Sequence, residues 1–426
     1  MTSDTTPSAE ARPPRWLGWP RRGWLRLGGW LLLLIALRLV LVPAEARDPA
    51  TSQELRAAVT AASDWMQRAQ SAHDDGRYLY VYDAVHDLAL DDYNDVRHAG
   101  VTMALYQAAG RDGDLEALAA ADRAVEWMTA HLHRRDGWAA LTNAEGTRAK
   151  VGGTALMVVA LAERRLATGD TRHDALMREL GAFLAAMQRP DGGFLVAWEI
   201  PAGEPDRVGT SRYYPGEALW ALALLHEAFP GEGWDEHARA ASIFITTRRD
   251  DVEGVRFQPL ADHWAAYGLA EMAEWGLSEP EIEYARRLAG RFGFLIRVEM
   301  QRTHGLFGGP GRLLREEVPA SAFGTWIEGM SALWRLSTAD ERMADLRPAI
   351  EERLALGAGL LARRQIDALA AGDFAKPDLV RGAWLSGGLT RMDDQQHALS
   401  GLLYASDAIE GRTNRSPDVL LPGAGR

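Results

Sequence analysis

The sequence predicts an all-α protein, an (α/α)6 toroid in which six helical hairpins close into one ring behind an N-terminal hydrophobic helix. Helical periodicity extends from residue 52 to residue 409, and no stretch longer than a few residues alternates as a half-buried strand does. Helical segments of two kinds alternate along this region, with a loose repeat of roughly 45–70 residues per helix pair.

The six segments of the first kind are small, apolar nearly all round and rich in Gly and Ala. Inner helices of a closed ring touch neighbours on every side, so this is the composition that we expect of them. The predicted inner helices are 93–109, 151–167, 213–228, 262–275, 322–336 and 395–409.

The six segments of the second kind are amphipathic and charged, as expected of outer helices that expose one face. The predicted outer helices are 52–69, 114–131, 173–188, 234–247, 281–298 and 345–366. Because each hairpin buries its apolar face only by stacking on the next, residues 48–411 are predicted to form one cooperative domain. An open solenoid or two separate bundles is the alternative.

The first 47 residues have the pattern of a targeting element. Residues 1–27 are polar and basic, residues 28–42 are apolar, and a small-x-small site ends at Ala46. This order is typical of a secretory signal peptide, and an uncleaved signal anchor with a membrane helix at residues 24–43 fits equally well. Both predict export of the remaining chain to the periplasm or the extracellular space, with membrane contact if the segment stays uncleaved. A buried core helix is the third possibility.

Charge and cysteine content narrow the possible partners. The chain has 47 Lys+Arg and 59 Asp+Glu, and its only lysines are Lys150 and Lys376, so it lacks the basic footprint of a nucleic-acid-binding protein. The absence of Cys rules out disulfides, thiolate metal sites and Cys nucleophiles. No Gly-x-Gly-x-x-Gly, P-loop or Gly-x-Ser-x-Gly motif occurs, and no cofactor is predicted. The polar, Pro- and Gly-rich segment 412–426 is predicted to be a disordered tail.

Polar residues are concentrated at the starts of the predicted inner helices, which gather at one end of such a ring. Glu217 follows Pro215 in a first helical turn, where the helix dipole favours a carboxylate. The wholly apolar residues after it direct Glu217 into the ring, where an unused acid is costly. Asp262 opens the next inner helix, beside His263 and Trp264. We therefore predict Glu217 as general acid and Asp262 as general base of glycoside hydrolysis, with helix capping as the alternative role of Asp262.

The remaining candidates are predicted to bind substrate. Asn94, Arg97 and His98, at positions i, i+3 and i+4, share a helix face whose amide, guanidinium and imidazole suit a carboxylate or hydroxyl groups. Aromatic side chains can stack on the apolar face of a pyranose ring. The predicted substrate-binding residues are Tyr93, Asn94, Arg97, His98, Tyr213, Tyr214, His263, Trp264, Trp326, Glu328, Asp394, Gln396 and His397.

Three segments carry a family resemblance: 93–100 (YNDVRHAG), 213–218 (YYPGEA) and 391–397 (RMDDQQH). With the alternating helices, they make the chain resemble the (α/α)6 toroids shared by six-hairpin glycosidases, polysaccharide lyases and epimerases, and terpenoid cyclases. Six-hairpin glycosidases generally invert, so the resemblance implies an inverting glycoside hydrolase with a polysaccharide or oligosaccharide substrate, and the N-terminal segment predicts that it is exported. The Asp-x-Asp-Asp motif of squalene cyclases is absent, which argues against a cyclase.

Two other functions stay open. A uronate lyase or C5-epimerase would neutralise the substrate carboxylate with Asn94 or Arg97 and would use Tyr93, His98 or His397 as the base at C5. A non-catalytic protein of the cell envelope could use the same ring to bind a glycan or a peptide. Histidines from three inner helices lack the spacing of known metal motifs, so no metal is predicted.

Overall fold

The computed structural model describes residues 21–41, 45–71, 75–90, 92–254, 261–303, 317–417 and 419–422. Within these residues, thirteen α-helices have nine or more residues. They are α1 (Arg21–Leu41), α2 (Ser52–Ser71), α3 (Asp95–Asp112), α4 (Leu115–Ala130), α5 (Val151–Thr168), α6 (Asp174–Met187), α7 (Tyr214–Ala228), α8 (Trp234–Thr247), α9 (His263–Glu271), α10 (Glu279–Thr303), α11 (Ala320–Ala339), α12 (Arg347–Ala362) and α13 (Met392–Ile409).

Arg47–Met300 and Glu317–Arg426 form one compact unit, and its helices make a closed ring. The odd-numbered helices from α3 to α13 are the inner ones, because each packs against the next odd-numbered helix and α13 packs back against α3. The even-numbered helices from α2 to α12 lie outside them; Phe292 of α10, for example, packs on Gly329 of α11. The ring of six hairpins is confirmed, and its twelve described helices all lie on predicted segments.

Small residues let the inner helices approach one another closely. A Cβ atom at Gly324 of α11 would overlap the backbone carbonyl of His397 in α13, and one at Gly268 of α9 would collide with the side chain of Leu219 in α7. Helix α7 is buried on every face from its first turn to Leu225. An inner helix therefore needs a sequence that is apolar nearly all round, and this is the pattern that identified these helices.

Short strands between the helices correct the prediction of an all-α protein. Those among the described residues are β1 (Val81–Asp83), β2 (Leu88–Leu90), β3 (Leu132–Arg135), β4 (Trp138–Leu141), β5 (Arg148–Lys150), β6 (Ala197–Glu199), β7 (Glu204–Pro205) and β8 (Leu389–Arg391). They pair antiparallel in the orders β2-β1-β8, β3-β4 and β5-β6-β7. Strand β2 precedes α3, β5 precedes α5 and β8 precedes α13. The sheets β2-β1-β8 and β5-β6-β7 therefore lie at loops where inner helices begin. Strands of two to four residues are too short to show an alternating pattern in the sequence.

A second compact unit comprises Met1–Ala46 and Gln301–Glu316, and it contains α1. Apolar side chains of α1 such as Trp30 are exposed. Of the helices described, none combines the length and the apolarity that crossing a membrane requires. Residues 1–20 and 42–44 of the predicted targeting segment lie outside the described residues.

The described part of the predicted disordered tail, 412–426, packs on the ring instead. The Arg415 side chain is buried and forms ion pairs with Glu163 (2.6 Å) and Glu271 (3.2 Å). Arg335 pairs with Glu271 as well (2.9 Å). The composition of the tail did not reveal this contact, because the two acids that Arg415 neutralises belong to α5 and α9, far from it in the chain.

The Arg415→Ala variant is expected to lower the free energy of unfolding by about 3–5 kcal/mol, because it leaves the buried carboxylates of Glu163 and Glu271 without this cation. Urea denaturation followed by circular dichroism measures the loss. Arg381→Ala is the matched control: Arg381 and its partner Asp378 are both exposed, so the variant should cost about 1 kcal/mol or less. A loss of that small size for Arg415→Ala would contradict the buried pairing.

Candidate active site

A cavity of about 460 Å³ opens where the inner helices begin. Its volume falls within the range of about 300–1,000 Å³ that is usual for small-molecule sites. The first turns of α3, α7, α9, α11 and α13 all contribute to its lining, as the placement of polar residues in the sequence predicts. The predicted site residues on this lining are Asn94, Arg97, Tyr213, Tyr214, Glu217, His263, Trp264, Trp326, Gln396 and His397.

Tyr93 and His98 were predicted to bind substrate, but they lie outside the cavity lining, where α3 faces α4. The Tyr93 hydroxyl donates to Nδ1 of His98 (2.7 Å), and Nε2 of His98 donates to the carbonyl oxygen of Ala124 (3.0 Å). Burial lowers the pKa of His98 to about 3, so its ring is neutral. Because both ring nitrogens are occupied, His98 has a structural role.

Asp262, the predicted general base, does not line the cavity either. Its Oδ1 accepts from the backbone N–H of Ala265 (3.0 Å), as the N-cap of α9, and its Oδ2 accepts from the guanidinium of Arg249. Asp262 and Arg249 are both fully buried, so neither carboxylate oxygen is left to take a proton from a water in the cavity. This is the capping role that the sequence left as the alternative. Arg249 lies in the short helix Arg249–Val252, and nothing in the sequence pairs it with Asp262.

Two neighbouring aspartates in the first turn of α13 have different surroundings. Asp394, a predicted binding residue, is buried, and its Oδ1 accepts from the backbone N–H of Ser321 in α11 (2.8 Å). Asp393 lines the cavity instead and forms an ion pair with Arg97 (3.2 Å). Helix α13 was predicted to start at residue 395, and it starts at Met392. Which aspartate faces the cavity depends on that start, so Asp394 was predicted to bind substrate in place of its neighbour Asp393.

His397, Glu328 and Tyr267 form a hydrogen-bonded chain beside the cavity. Nδ1 of His397 lies 2.7 Å from Oε2 of Glu328, and Oε1 of Glu328 accepts from the Tyr267 hydroxyl (3.2 Å). Burial raises the pKa of Glu328, and the contact with His397 opposes that shift. Because Nδ1 is held by Glu328, Nε2 is the nitrogen of His397 that can meet a ligand. Tyr267 was missed, although its i+4 spacing from His263 puts both on one face of α9.

His263 lies next to His397, with their ring centroids 5.0 Å apart and their planes nearly perpendicular. It is buried, and neither of its ring nitrogens has a hydrogen-bond partner among the residues described here. Burial, together with the nearby His397, lowers the pKa of His263 well below its usual range, so the imidazole is neutral. A buried imidazole without partners on a cavity wall indicates that a ligand completes its hydrogen bonds.

The same side chains are where a metal ion could bind. One ligand atom from each of His263, Glu328 and His397 lies within 4.8 Å of the others, and two imidazoles with a carboxylate suit several transition metals. The 2.7 Å between His397 and Glu328 is a hydrogen-bond distance. It is shorter than the roughly 3.3 Å between neighbouring ligands of a tetrahedral ion with bonds of about 2.0 Å. This geometry fits a hydrogen-bonded pair better than a set of metal ligands.

Glu217 lies in the first turn of α7 and is buried although it lines the cavity. Burial, with the nearby carboxyl groups of Asp262 and Asp95, raises its pKa to about 8. The side chain is therefore a neutral carboxylic acid at pH 7. Its Oε2 has no hydrogen-bond partner in the part of the chain that the structure describes. Gly152 leaves space for this oxygen, since a Cβ atom there would overlap it.

Cations near the cavity are paired with acids. Arg97 forms the ion pair with Asp393 and also donates to the hydroxyl of Tyr80. Lys150 pairs with Asp95 (2.7 Å), a buried residue in the first turn of α3 that sequence analysis missed, because an acid at that position is common for helix stability alone. These pairings favour an uncharged ligand over a uronate.

Four aromatic side chains give the cavity flat, apolar faces. Trp264 is buried and lies against Trp220 of α7, with ring centroids 5.6 Å apart, while Tyr213 is about half exposed (47%). Tyr214 and Trp326 lie at intermediate depth. A cavity that combines aromatic faces with a carboxylic acid and two imidazoles suits a ligand with both apolar faces and hydroxyl groups.

Comparison with solved structures identifies the fold. The chain is similar to an unsaturated glucuronyl hydrolase specific for heparin (15% identity, TM-score 0.58, covering 87% of this chain and 100% of that one). It is also similar to a cellobiose 2-epimerase from Spirochaeta thermophila DSM 6192 (16%, 0.56, 84% and 98%) and to a D-mannose isomerase (13%, 0.58, 86% and 100%). A scan of family models and a search of curated proteins found no match. These identities show the fold alone: the chain has the (α/α)6 toroid fold.

Stability should depend on pH through Glu217. The folded chain keeps its proton up to a pKa of about 8, against 4.5 for an unperturbed Glu, so stability falls as the pH rises between those values. Glu217→Gln removes this dependence. The free energy of unfolding of the variant, relative to wild type, should therefore rise with pH by at most about 1.4 kcal/mol per unit. Urea denaturation between pH 5 and pH 8 measures it.

The matched control is Glu283→Gln, at an exposed position on α10 (side chain 74% exposed). Its difference from wild type should stay within about 0.5 kcal/mol at every pH. If the Glu217→Gln difference is equally flat, Glu217 is ionised in the folded protein and is not the neutral acid described above.

Proposed function

We propose that the protein is a sugar isomerase or 2-epimerase, an enzyme that moves the proton on C2 of a reducing sugar, next to its aldehyde carbon. The observation that carries this proposal is the pair of imidazoles on one cavity, one of which is bound by a buried carboxylate. A histidine oriented in this way is a suitable general base for removing a proton from carbon. The second imidazole can donate a proton to the carbonyl oxygen.

In the proposed reaction, His397 is the base. Glu328 accepts the N–H at Nδ1, so the lone pair at Nε2 is free to take the C2 proton. The electrons of the C2–H bond form a C1–C2 double bond, and the carbonyl electrons move to O1, which takes a proton from His263. The enediol then takes its carbon proton back. Return of the proton from His397 to C1, with loss of the O2 proton to His263, gives the ketose. An enediol that has turned about its C2–C3 bond takes the proton from His397 on the opposite face of C2, gives its O1 proton back to His263, and becomes the epimer.

Tyr267 supports this base without touching the substrate. Its hydroxyl donates to Glu328, and a hydrogen bond of this kind stabilises the ionised carboxylate that burial disfavours. The Tyr267 ring stacks on Trp220, with centroids 4.4 Å apart and planes 14° apart, so the hydroxyl is held in place. Tyr267 is therefore proposed as a positioning residue for Glu328 and, through it, for His397.

The cavity and the comparisons support a sugar as the substrate. A volume of about 460 Å³ accommodates one or two sugar units, and the aromatic side chains of Trp264 and Trp326 are part of the lining. The arginine and lysine near the cavity are paired, which favours a neutral sugar. Two of the similar structures are named as a cellobiose 2-epimerase and a D-mannose isomerase.

A glycoside hydrolase with an inverting mechanism is the second candidate, and the neutral carboxyl of Glu217 favours it. A general acid must be protonated near neutral pH, and burial raises the pKa of Glu217 to about 8. Inversion also needs a carboxylate base about 6.5–9.5 Å away. Asp262 is bound by Arg249 away from the cavity lining. Asp393 lies on the lining and is paired with Arg97 through Oδ2, while its Oδ1 has no hydrogen-bond partner among the described residues. The unsaturated glucuronyl hydrolase among the similar structures supports this candidate.

The uronate lyase or C5-epimerase and the non-catalytic binding protein have less support. Tyr93 and His98, two of the three bases predicted for the lyase, are hydrogen-bonded to each other outside the cavity lining. Asn94, predicted to neutralise the uronate, uses its side-chain oxygen to cap α3. A protein that only binds glycans has no need of a carboxylate-bound histidine beside a second, neutral one.

We also infer that residues 1–47 direct export. The inference rests on the basic and apolar pattern of the sequence, and the separate compact unit that contains Met1–Ala46 is compatible with it. Expression in a bacterium, fractionation and N-terminal mass analysis test it. A chain that begins at Arg47 in the periplasm or medium indicates a cleaved signal peptide, and an intact chain in the membrane fraction indicates an anchor. An intact chain in the cytoplasm would contradict export.

Wild-type protein in D2O should incorporate deuterium at C2 of D-mannose, D-glucose or cellobiose, with formation of the ketose or the epimer, as measured by proton NMR. His397→Gln and Glu328→Gln should slow this exchange by about 10²–10⁴-fold, because they remove the base or the carboxylate that orients it. Tyr267→Phe should retain part of the activity and shift the pH–rate profile, because it changes the ionisation of Glu328. His86→Gln, on the exposed surface, is the control and should leave the rate unchanged.

Other results of the same assay would point elsewhere. New reducing ends from a disaccharide without deuterium at C2 would favour the hydrolase. Full activity of His397→Gln would exclude the proposed base. Loss of activity after treatment with a chelator, with recovery on addition of Zn²⁺, would assign the His263, Glu328 and His397 cluster to a metal.

A further inference from the structure

Glu217 is the one acid on the cavity lining that the proposed proton transfer does not use and that is not bound by a cation among the described residues. It lies in the first turn of α7, which packs directly on the first turn of α9: a Cβ atom at Gly216 would lie 2.9 Å from Cβ of Trp264. His263 is in that same turn of α9. Glu217 and His263 therefore face the cavity from two adjacent helix starts.

We propose that Glu217 is the acid that opens the sugar ring, so that the enzyme takes the cyclic form of a reducing sugar as its substrate. This inference rests on the proposed isomerase or epimerase function. A reducing sugar in water is almost wholly a cyclic hemiacetal, and its C2 proton is not acidic until the ring opens to the aldehyde. An enzyme that removes this proton gains from a group that opens the ring in the same cavity.

Ring opening needs one group that gives a proton and one that accepts a proton, and Glu217 and His263 are those groups. Glu217 gives its carboxyl proton to the ring oxygen, and the bond between that oxygen and the anomeric carbon breaks, with the electron pair leaving on the ring oxygen. The anomeric hydroxyl gives its proton to neutral His263, whose resulting positive charge is offset by the carboxylate left on Glu217, and the carbonyl forms. His263 then holds the proton that O1 needs when His397 takes the C2 proton. Ring closure of the product runs the step backwards and returns a proton to Glu217.

The surroundings of Glu217 suit this role better than those of the other acids. Its Oε2 is buried and has no partner in the described ranges, so its hydrogen-bonding capacity is unsatisfied. Burial with nearby Asp262 and Asp95 holds its pKa at about 8, so the proton is present at neutral pH. Asp393 and Glu328 are instead engaged with Arg97 and His397.

Anomer interconversion tests this step separately from the C2 transfer, because it requires ring opening and closing alone. The probe is the crystalline α anomer of whichever sugar wild-type protein exchanges best, or α-D-glucose if none exchanges, followed by polarimetry against a protein-free blank. Wild type and His397→Gln should both accelerate interconversion, although His397→Gln lacks C2 exchange. Glu217→Gln, whose amide fills the same volume but has no acidic proton, should lose at least about 100-fold of that acceleration and also lose C2 exchange. His86→Gln should match wild type in both assays.

The outcomes separate the two proposals. If Glu217→Gln accelerates interconversion as wild type does, the ring-opening role is wrong even when the C2 exchange of wild type stands. If wild type accelerates interconversion without C2 exchange and Glu217→Gln does not accelerate it, the ring-opening role is supported and the isomerase or epimerase function fails. If wild type does neither, both are overturned. Reversible unfolding of Glu217→Gln with a wild-type cooperative transition excludes misfolding as the cause of a loss.

Discussion

Closure of the ring is the constraint on which the rest of this protein depends. An inner helix has a neighbour on each side and an outer helix behind it, so it has no face on which polar side chains can meet solvent along its length. Gly324 packs so closely on the backbone of His397 that a side chain would not fit. Charged residues of the inner helices are consequently concentrated towards the two ends of the ring, with Glu328 of α11 as a buried exception that is hydrogen-bonded to His397 and Tyr267.

The two ends satisfy their polar groups differently. Where the inner helices finish, Glu163 and Glu271 are neutralised by Arg415 from the chain's own C-terminal segment. Where the inner helices begin, His263 and Glu217 keep ring nitrogens and a carboxyl oxygen that no described residue satisfies. Buried polar groups without partners are costly, so their presence on one open cavity indicates that a ligand supplies the missing bonds. The candidate active site is therefore at the end of the ring where the inner helices begin, because the described residues leave polar groups there without partners.

Sequence predicted the helices well because their signals are local. Apolar periodicity and small residues mark each inner helix, and Trp234–Thr247 of the outer set is correct to the residue. The small sheets and the docked tail were missed because their contacts join segments far apart in the chain, as Arg415 joins Glu163. The cavity was located correctly for a related reason. The start of a helix can be recognised from local sequence, and closure of the ring brings the starts of the inner helices together at one end.

Individual roles at the site were harder to predict, since they depend on partners that no local pattern reveals. Asn94 and His98 occupy one predicted face, yet one turn of helix is enough to place Asn94 on the cavity and His98 against Ala124 of α4. Glu217 was selected because an acid before an apolar run should point into the ring, and the structure does place it on the cavity. Asp262 was selected on similar grounds, but it is bound by Arg249, which lies in a short helix that the hairpin pattern did not predict.

The guanidinium groups near the site determine which chemistry it can perform. Inverting glycoside hydrolysis needs two carboxyl groups free to exchange protons, and Arg249 and Arg97 each form an ion pair with one candidate, Asp262 and Asp393 respectively. What is left on the cavity is one neutral carboxyl group, Glu217, and two imidazoles, of which His397 has its tautomer set by a buried glutamate. A neutral acid can protonate an oxygen, and a carboxylate-bound imidazole can take a proton from carbon. Ring opening followed by proton transfer at C2 requires those two capacities, whereas hydrolysis requires a second carboxylate as base, and both candidates for it, Asp262 and Asp393, are paired with an arginine.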